Sequence, residues 1–479
     1  MKRLAVLSAA LLLAGGCAVG PDYKRPDVAV PESYREVQGP PAPAPSLANQ
    51  PWWEIFKDDQ LNGLIDEALR NNYDAKIAAA RVEEFRARSG IAKSEFFPQI
   101  GYAGGVSRGL TSTYVNPGAT TGNQVAANVN FGWELDLWGR VRRLNEAAKA
   151  QYLASEEVRR GVLLSLVSDV AQTYFRLLDL DRELVIMKET VASFRETYDL
   201  FNRKLEGGAA SAVQTAYAAA AMEQAAAQVP ETERLIEATE NQLAALLGRN
   251  PGPIPRGKPL DGQFDPPAVP AGLPADLLRQ RPDIQAAEQD MVAANAQVGV
   301  AVASFFPTIS LTGVFGGVSP DVSNLFGAGK AWSIAAGLVG PLFQGGKLRS
   351  QYEVAVAQWE QAKLRYEQTV TNAFAEATTV LYARQKLLDS EAALRRTADQ
   401  YAEMVRLQNI RYNAGLASYF EVLYAMQQLY PAELTLTRAR LQLLNDYVDI
   451  YKALGGGWNQ PELPPPPGQP APAPPPPAK

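Results

Sequence analysis

Motifs in the first half of this chain recur 207 to 209 positions later, and no other feature limits its folding options so strongly. Phe96-Phe97-Pro98 returns as Phe305-Phe306-Pro307, and Asp74 as Asp283, at an offset of 209. Gly139-Arg140 matches Gly346-Lys347, Gly208-Ala209-Ala210-Ser211 matches Gly415-Leu416-Ala417-Ser418, and Leu247-Gly248 matches Leu454-Gly455, all at 207. Chance supplies one such match but not a constant offset along the chain. The body is therefore two copies of one layout, residues 52–250 and 264–457, joined by a linker at 251–263. Each copy reads as helix, strand pair, very long helix, tight turn and returning helix.

The strand pairs carry the period-two signal. A β stretch is expected near 98–110, followed by a loop over Thr111–Asn123, rich in Thr, Gly, Asn and Pro. Beyond it, Val125, Ala127, Val129, Phe131, Trp133, Leu135 and Leu137 alternate with Ala126, Asn128, Asn130, Gly132, Glu134 and Asp136. In the second copy, Ile309, Leu311, Gly313 and Phe315 alternate with Thr308, Ser310, Thr312 and Val314. Val318–Ala328 reads as the loop, and Trp332, Ile334, Ala336, Leu338 and Leu342 then alternate with Ser333, Ala335 and Gly337. One apolar and one polar face suit a lipid-facing strand of a water-filled barrel, and equally a soluble hairpin with one buried face. Trp133 and Trp138 stand where an aromatic girdle would lie.

Four strands cannot close a barrel, and an open edge cannot sit in lipid. A membrane barrel must then be shared between chains. Two chains would give eight strands around a filled interior, and three would give twelve around an aqueous lumen.

The long helices are set by what their sequences omit. Val141 to about Glu206 contains no proline and only Gly161 as interior glycine, and Lys347 to about Asn413 contains neither residue. A helix of about 60 residues spans about 90 Å and needs partners along its length, as in a coiled-coil tube or a rod. Reversals are expected at Gly207-Gly208 and Asn413-Ala414-Gly415, since Gly and Asn accept left-handed backbone. Pro230 and Pro431 should kink the returning helices. Arg140 and Lys347 follow strands two and four, either as strand-to-helix caps or as solvated surface.

The ends and the composition narrow the function. Lys2 and Arg3 precede an apolar stretch, Leu4 to Leu13, too short to span a bilayer, and Ala14-Gly15-Gly16 leads into Cys17, the single cysteine. This resembles a lipoprotein signal peptide over 1–16, with Cys17 as the lipid acceptor. Ala18, rather than an aspartate, follows the cysteine and fits delivery to the outer membrane. Residues 17–51 read as a lipidated tether, Pro- and Ala-rich over 39–51, and 458–479 as a Pro-rich disordered tail. The 479 residues include no histidine, which excludes serine–histidine catalysis and histidine-bound zinc. No phosphate-binding loop signature is present, so an enzyme is not expected. A formal net charge of −5 argues against nucleic acid as a partner.

The Cys17-Ala18-Val19-Gly20-Pro21-Asp22-Tyr23 start, the Trp52-Trp53 pair, the duplicated body and the Tyr451-Lys452-Ala453-Leu454-Gly455-Gly456-Gly457-Trp458 run resemble the outer membrane factor family, the TolC-like, NodT-type lipoproteins of efflux systems. The resemblance covers about 17–458. It implies a mixed α and β fold, in which a homotrimer closes a twelve-stranded transmembrane β-barrel, four strands per chain, continuous with a long periplasmic α-helical barrel. It implies an exit duct of a tripartite efflux system, anchored in outer-membrane lipid. Its partners would be a periplasmic adaptor and an inner-membrane RND-type transporter, with no cofactor beyond the covalent lipid on Cys17. The same architecture also serves type I protein secretion, which commonly lacks the lipid anchor. A porin-like or structural lipoprotein is a further alternative. By position, the resemblance places a periplasmic gate at Arg411, Tyr412, Phe420, Glu421, Tyr424 and Gln427, and adaptor docking at the turns Gly207, Gly208, Asn413 and Gly415. Where relatives often carry an aspartate and an arginine, this chain has Tyr424 and Gln427, so an aromatic plug of Phe420 and Tyr424 replaces an acidic ring.

Overall fold

The computed structural model describes residues 18–31, 34, 55–110, 114, 121–264 and 274–456. Cys17, the signal segment, Trp52-Trp53 and the 458–479 tail lie outside the described residues. In chain order the elements are α1 (Asp59–Asn71), α2 (Tyr73–Ser94), β1 (Gln99–Gly109), β2 (Gly122–Leu135), α3 (Arg140–Glu206), α4 (Ala212–Ala226) and α5 (Gln228–Leu246). They continue with α6 (Pro274–Gln280), α7 (Pro282–Ala303), β3 (Thr308–Ser319), β4 (Lys330–Val339), α8 (Lys347–Asn413) and α9 (Tyr419–Ala453).

The duplication is written into the backbone. Both α3 and α8 run for 67 residues, about 100 Å at 1.5 Å per residue. Gly139 and Gly346 precede them at φ +81° and +89°. Gly208 and Gly415 end them at +74° and +72°, and Gly248 and Gly455 end the returning helices at +70° and +77°. Each pair is separated by 207 positions, so the same left-handed turns were copied with the sequence.

The chain divides into two compact units. The first comprises 1–28, 79–158 and 283–369 and holds the sheet. Its strands are all antiparallel in the order β1-β2-β3-β4, so each repeat supplies one hairpin and β1 and β4 are the edges. The register places Tyr102, Val129, Phe315 and Trp332 in one row across the sheet, and Ile309 beside both Leu135 and Leu338. That face is apolar over all four strands. The opposite face carries Gln99, Gln124, Asn128, Asn130, Thr312 and Ser333 with many glycines and alanines. Ile100, Tyr102, Trp332, Ile334 and Leu338 are all exposed in the single chain. β2 starts at Gly122, inside the expected loop, and β3 continues to Ser319, while Leu137 and Leu342 fall beyond the strands.

An N-terminal strap joins the repeats within this unit. Val19 N–H donates to Trp138 O at 3.0 Å. Asn295 Nδ2 donates to Pro21 O at 3.0 Å, Tyr23 Oη to Glu288 at 3.1 Å and Arg25 to Glu288 at 2.6 Å. Arg143, whose side chain is 5% exposed, holds Asp22 at 2.7 Å. A Cβ on Gly20 would stand 2.6 Å from Gly299 Cα, and one on Gly139 would stand 2.6 Å from Ala18 Cα, so the strap lies directly on backbone. Trp138 stacks on Phe306 at 4.7 Å and donates Nε1–H to Pro307 O, while Trp133 donates to Phe96 O. Both Phe-Phe-Pro motifs are thereby fastened by indoles.

Arg140 is not the cap of α3. It grips Glu134 through two bonds of 2.8 and 2.7 Å, and Asp136 accepts from Val141 N and Arg142 N instead.

The second unit comprises 29–78, 159–282 and 370–479 and is helical among its described residues. Its core gathers Phe56, Leu61 and Ile65 near α1, Tyr174, Phe175 and Leu178 of α3, and Leu444, Tyr447, Val448 and Tyr451 of α9. The two prolines act differently. Pro230 lacks the N–H that would meet the carbonyl of Ala226, and the returning helix stops at Ala226 and restarts at Gln228. Pro431 lies inside α9, which runs unbroken from Tyr419 to Ala453.

Candidate functional site

Two helical hairpins meet in the second unit: α3 with α4 from the first repeat, and α8 with α9 from the second. The turns are built alike. Ala209 N–H donates to Lys204 O at 2.7 Å and Leu416 N–H to Arg411 O at 2.9 Å, closing each helix over its glycine. Ser211 and Gln214 cap α4 reciprocally, and Ser418 N–H donates to Glu421 Oε1 at 3.2 Å at the start of α9.

The gate candidates divide into three groups. Tyr412 faces the first hairpin: Lys204 Nζ donates to its hydroxyl and sits 4.8 Å from its ring centroid. Arg411 and Glu421 instead pair within the second hairpin, 3.5 Å apart, and Arg411 also reaches Gln408 and Leu416 O. Phe420 and Tyr424 are more than half exposed, with Phe420 5.5 Å from the Tyr217 ring and Gln427 accepting from Tyr217 Oη at 3.2 Å. Tyr419 closes the joint, with its ring edge-on to Tyr412 at 4.8 Å and Phe201 at 5.3 Å and its hydroxyl 2.9 Å from Thr197. Beneath these contacts Phe194, Ala221, Ala225 and Leu423 form a small apolar cluster.

Sequence reasoning missed Thr197, Lys204, Tyr217 and Tyr419. The duplication held the signal for two of them. Shifting Arg411 and Tyr424 back by 207 gives Lys204 and Tyr217, two of the first-hairpin residues that touch the second. Gly207, Gly208, Asn413 and Gly415 sit at the turns as expected, where Gly208 and Gly415 have no atom within 4 Å of an added Cβ and face open space.

Further along the same helix pair, α9 is tied to α3 by Arg438 to Glu183 at 2.7 Å and by Gln172 to Asp449 at 2.7 Å. Carboxylates at this joint are displaced from their usual range. Burial, aided by Glu183 and opposed by Arg176 and Arg438, lifts Asp179 to about 6. Burial also pushes Asp446 up to about 7, aided by Asp449 and opposed by Arg384. Among the described residues no group of three or more Cys, Asp and Glu is placed to hold a metal ion. No described helix is long and apolar enough to cross a membrane. The chemistry on offer is steric and electrostatic: rings, hydrogen bonds and ion pairs that join two hairpins.

The model of the outer membrane efflux protein family matches residues 64–249 and 273–456, once on each repeat. The chain is 36% identical to the probable efflux pump outer membrane protein TtgC of Pseudomonas putida, over 95% of this chain and 96% of that protein. It is 33% identical to the cation efflux system protein CusC of Escherichia coli, over 93% and 96%. Among solved structures, the open state of the Neisseria gonorrhoeae MtrE outer membrane channel superposes with a TM-score of 0.84 at 31% identity, covering 92% of this chain and 99% of that one.

Proposed function

The chain belongs to the outer membrane efflux protein family and works as an outer-membrane efflux channel, and from that premise we propose how it does so. Three copies close one twelve-stranded barrel, lipid-facing through the apolar sheet face and water-facing through the Asn128 and Asn130 face. One observation carries this reading: the four strands form a single amphipathic sheet whose two edges are unpaired among the described residues, and Ile100, Trp332 and Ile334 stand 73%, 74% and 81% exposed on its apolar side. Exposed edges and exposed apolar area of this kind need neighbours in lipid.

Cys17 carries the lipid of the mature N-terminus, and residues 18–25 bind it to the body. The helical unit is the periplasmic section. Its turns at Gly207, Gly208, Asn413 and Gly415 receive a periplasmic adaptor, which links the duct to an RND-type inner-membrane transporter. Tyr412, clasped by Lys204, holds the two hairpins together in the resting state. Phe420 and Tyr424, three copies each, narrow the entrance as aromatic rings. The cargo is a small toxic compound, in keeping with the efflux pump and cation efflux systems of the relatives. Conduction is the whole task, so no residue is assigned a catalytic role.

The test is cysteine labelling in outer-membrane vesicles, with the native mass measured in parallel. Asn130→Cys should react with a membrane-impermeant maleimide, and Val129→Cys should not. The native species should have three times the mass of a lipid-bearing chain. Equal labelling of the two positions, or a monomer, refutes the shared barrel.

A further inference from the structure

Residues 99–135 and 308–339, the strands and their loops, contain four charged side chains: Arg108, Glu134, Asp321 and Lys330. Their placement is not scattered. Arg108 pairs with Asn123 one residue from the loop end of β1, in line with Val106, Tyr102 and Ile100 on the apolar face. Lys330 is the first residue of β4, pairs with Gly317, and is in line with Trp332 and Ile334 on that same face. Both are exposed, and neither makes an ion pair among the described residues. The acidic strand residue, Glu134, stands on the opposite face at the other end of β2 and is neutralised by Arg140. Asp321 lies in the β3–β4 loop beyond Ser319.

Both cations therefore lie on the two edge strands, at the same end, on the face an apolar membrane would cover. β2 and β3 carry none. A cation on a lipid-facing surface is unfavourable unless it reaches water or a headgroup anion at the interface.

Resting on the shared barrel proposed above, we infer that Arg108 and Lys330 of the partner subunit form a site for a phosphorylated glycolipid headgroup at each subunit seam. β1 has eleven residues and rises to the loop end, and β4 has ten and descends from it. Antiparallel pairing of these edges end to end sets Lys330 of the partner subunit within a residue or two of Arg108. Cross-strand or diagonal neighbours are about 5–8 Å apart, a span that one phosphate bridges. Without an anion, two positive groups so placed repel. The site is absent from the single chain and is completed only by closure, three times per trimer.

Native mass spectrometry of the full-length trimer in detergent tests this, with bisphosphorylated lipid A as the probe and its dephosphorylated form as the comparison. Three bound lipids per trimer are expected for the phosphorylated form and none at the same concentration for the other. Arg108→Gln/Lys330→Gln should weaken binding about thirty-fold, and Arg108→Lys should retain most of it. Equal binding of the two lipids by the parent protein overturns the inference without any variant. Parental affinity in an intact double-variant trimer overturns it too, as does displacement of the lipid by equimolar inorganic phosphate. A parent protein that runs as a monomer instead refutes the shared barrel, a separate failure.

Discussion

Tyr412→Phe deletes a single oxygen and leaves the ring on Tyr419 and under Lys204 in place. What is lost is the hydrogen bond from the Lys204 ammonium. Bonds to charged groups contribute about 1.5–3 kcal/mol, and partial solvent exposure reduces this one to about 1 kcal/mol. In a three-fold duct whose hairpins move together, the loss is threefold, about 3 kcal/mol. The open-to-closed ratio should then rise about 150-fold. Single-channel recording in planar bilayers reads that ratio directly. Lys204→Met should produce at least as large a rise, because it also takes the ammonium off the Tyr412 ring, and adding Tyr412→Phe to it should change little, since the shared bond is already gone. A Tyr412→Phe trimer whose open fraction stays within about threefold of the parent refutes the clasp.

Three further outcomes follow from the same geometry. Phe420→Ala/Tyr424→Ala should raise resting conductance several-fold with trimer stability unchanged, because both rings are more than half exposed; a channel as closed as the parent removes them from the constriction. Asp446, lifted from 3.8 to about 7, opposes folding when ionised, so its penalty is absent below about pH 4, grows through pH 4–7 and is complete above. Asp446→Asn should therefore gain about 2 kcal/mol on the parent between pH 5 and pH 8, after allowance for screening, in thermal melts; parallel pH profiles would exclude this. Gly415→Ala should cost about 1 kcal/mol from its φ of +72° alone, while Gly455→Ala should cost several times more because its Cβ would meet the Gln280 backbone at 2.9 Å; equal losses in melting would contradict the contact.

The repeat, the four strands and the two long helices were legible because each rests on a local rule. Strand faces follow a period of two, and the register kept the predicted faces while moving β2 and β3 ends by a few residues. The helices could be read from the absence of proline between Val141 and Glu206 and between Lys347 and Asn413. Proline effects were less legible, since Pro230 and Pro431 share a chemistry and only one interrupts its helix. Of the site, Tyr412 was found as a candidate, but its partner Lys204 lies 208 positions away, and only packing of the two hairpins joins them. The family resemblance places Arg411 and Tyr412 together in the gate by position. On a helix, adjacent residues point about 100° apart, and Arg411 turns to Glu421 instead. Arg143 is another case: a buried arginine is invisible as such until Asp22 and Glu146 are found against it.

The strap carries a consequence for biosynthesis. Residues 18–25 meet Glu288, Asn295 and Gly299 only after more than 260 further residues have been made. Closing a chain segment of that length costs about 5 kcal/mol in entropy, so the contact forms on an assembled second repeat and not ahead of one. A product truncated after the first repeat retains β1 and β2 but has no α7 to receive its own beginning. Residues 18–25 thus find all of their partners only in a chain made through α7, and one stopped between the repeats leaves the strap held by Trp138 and Arg143 alone.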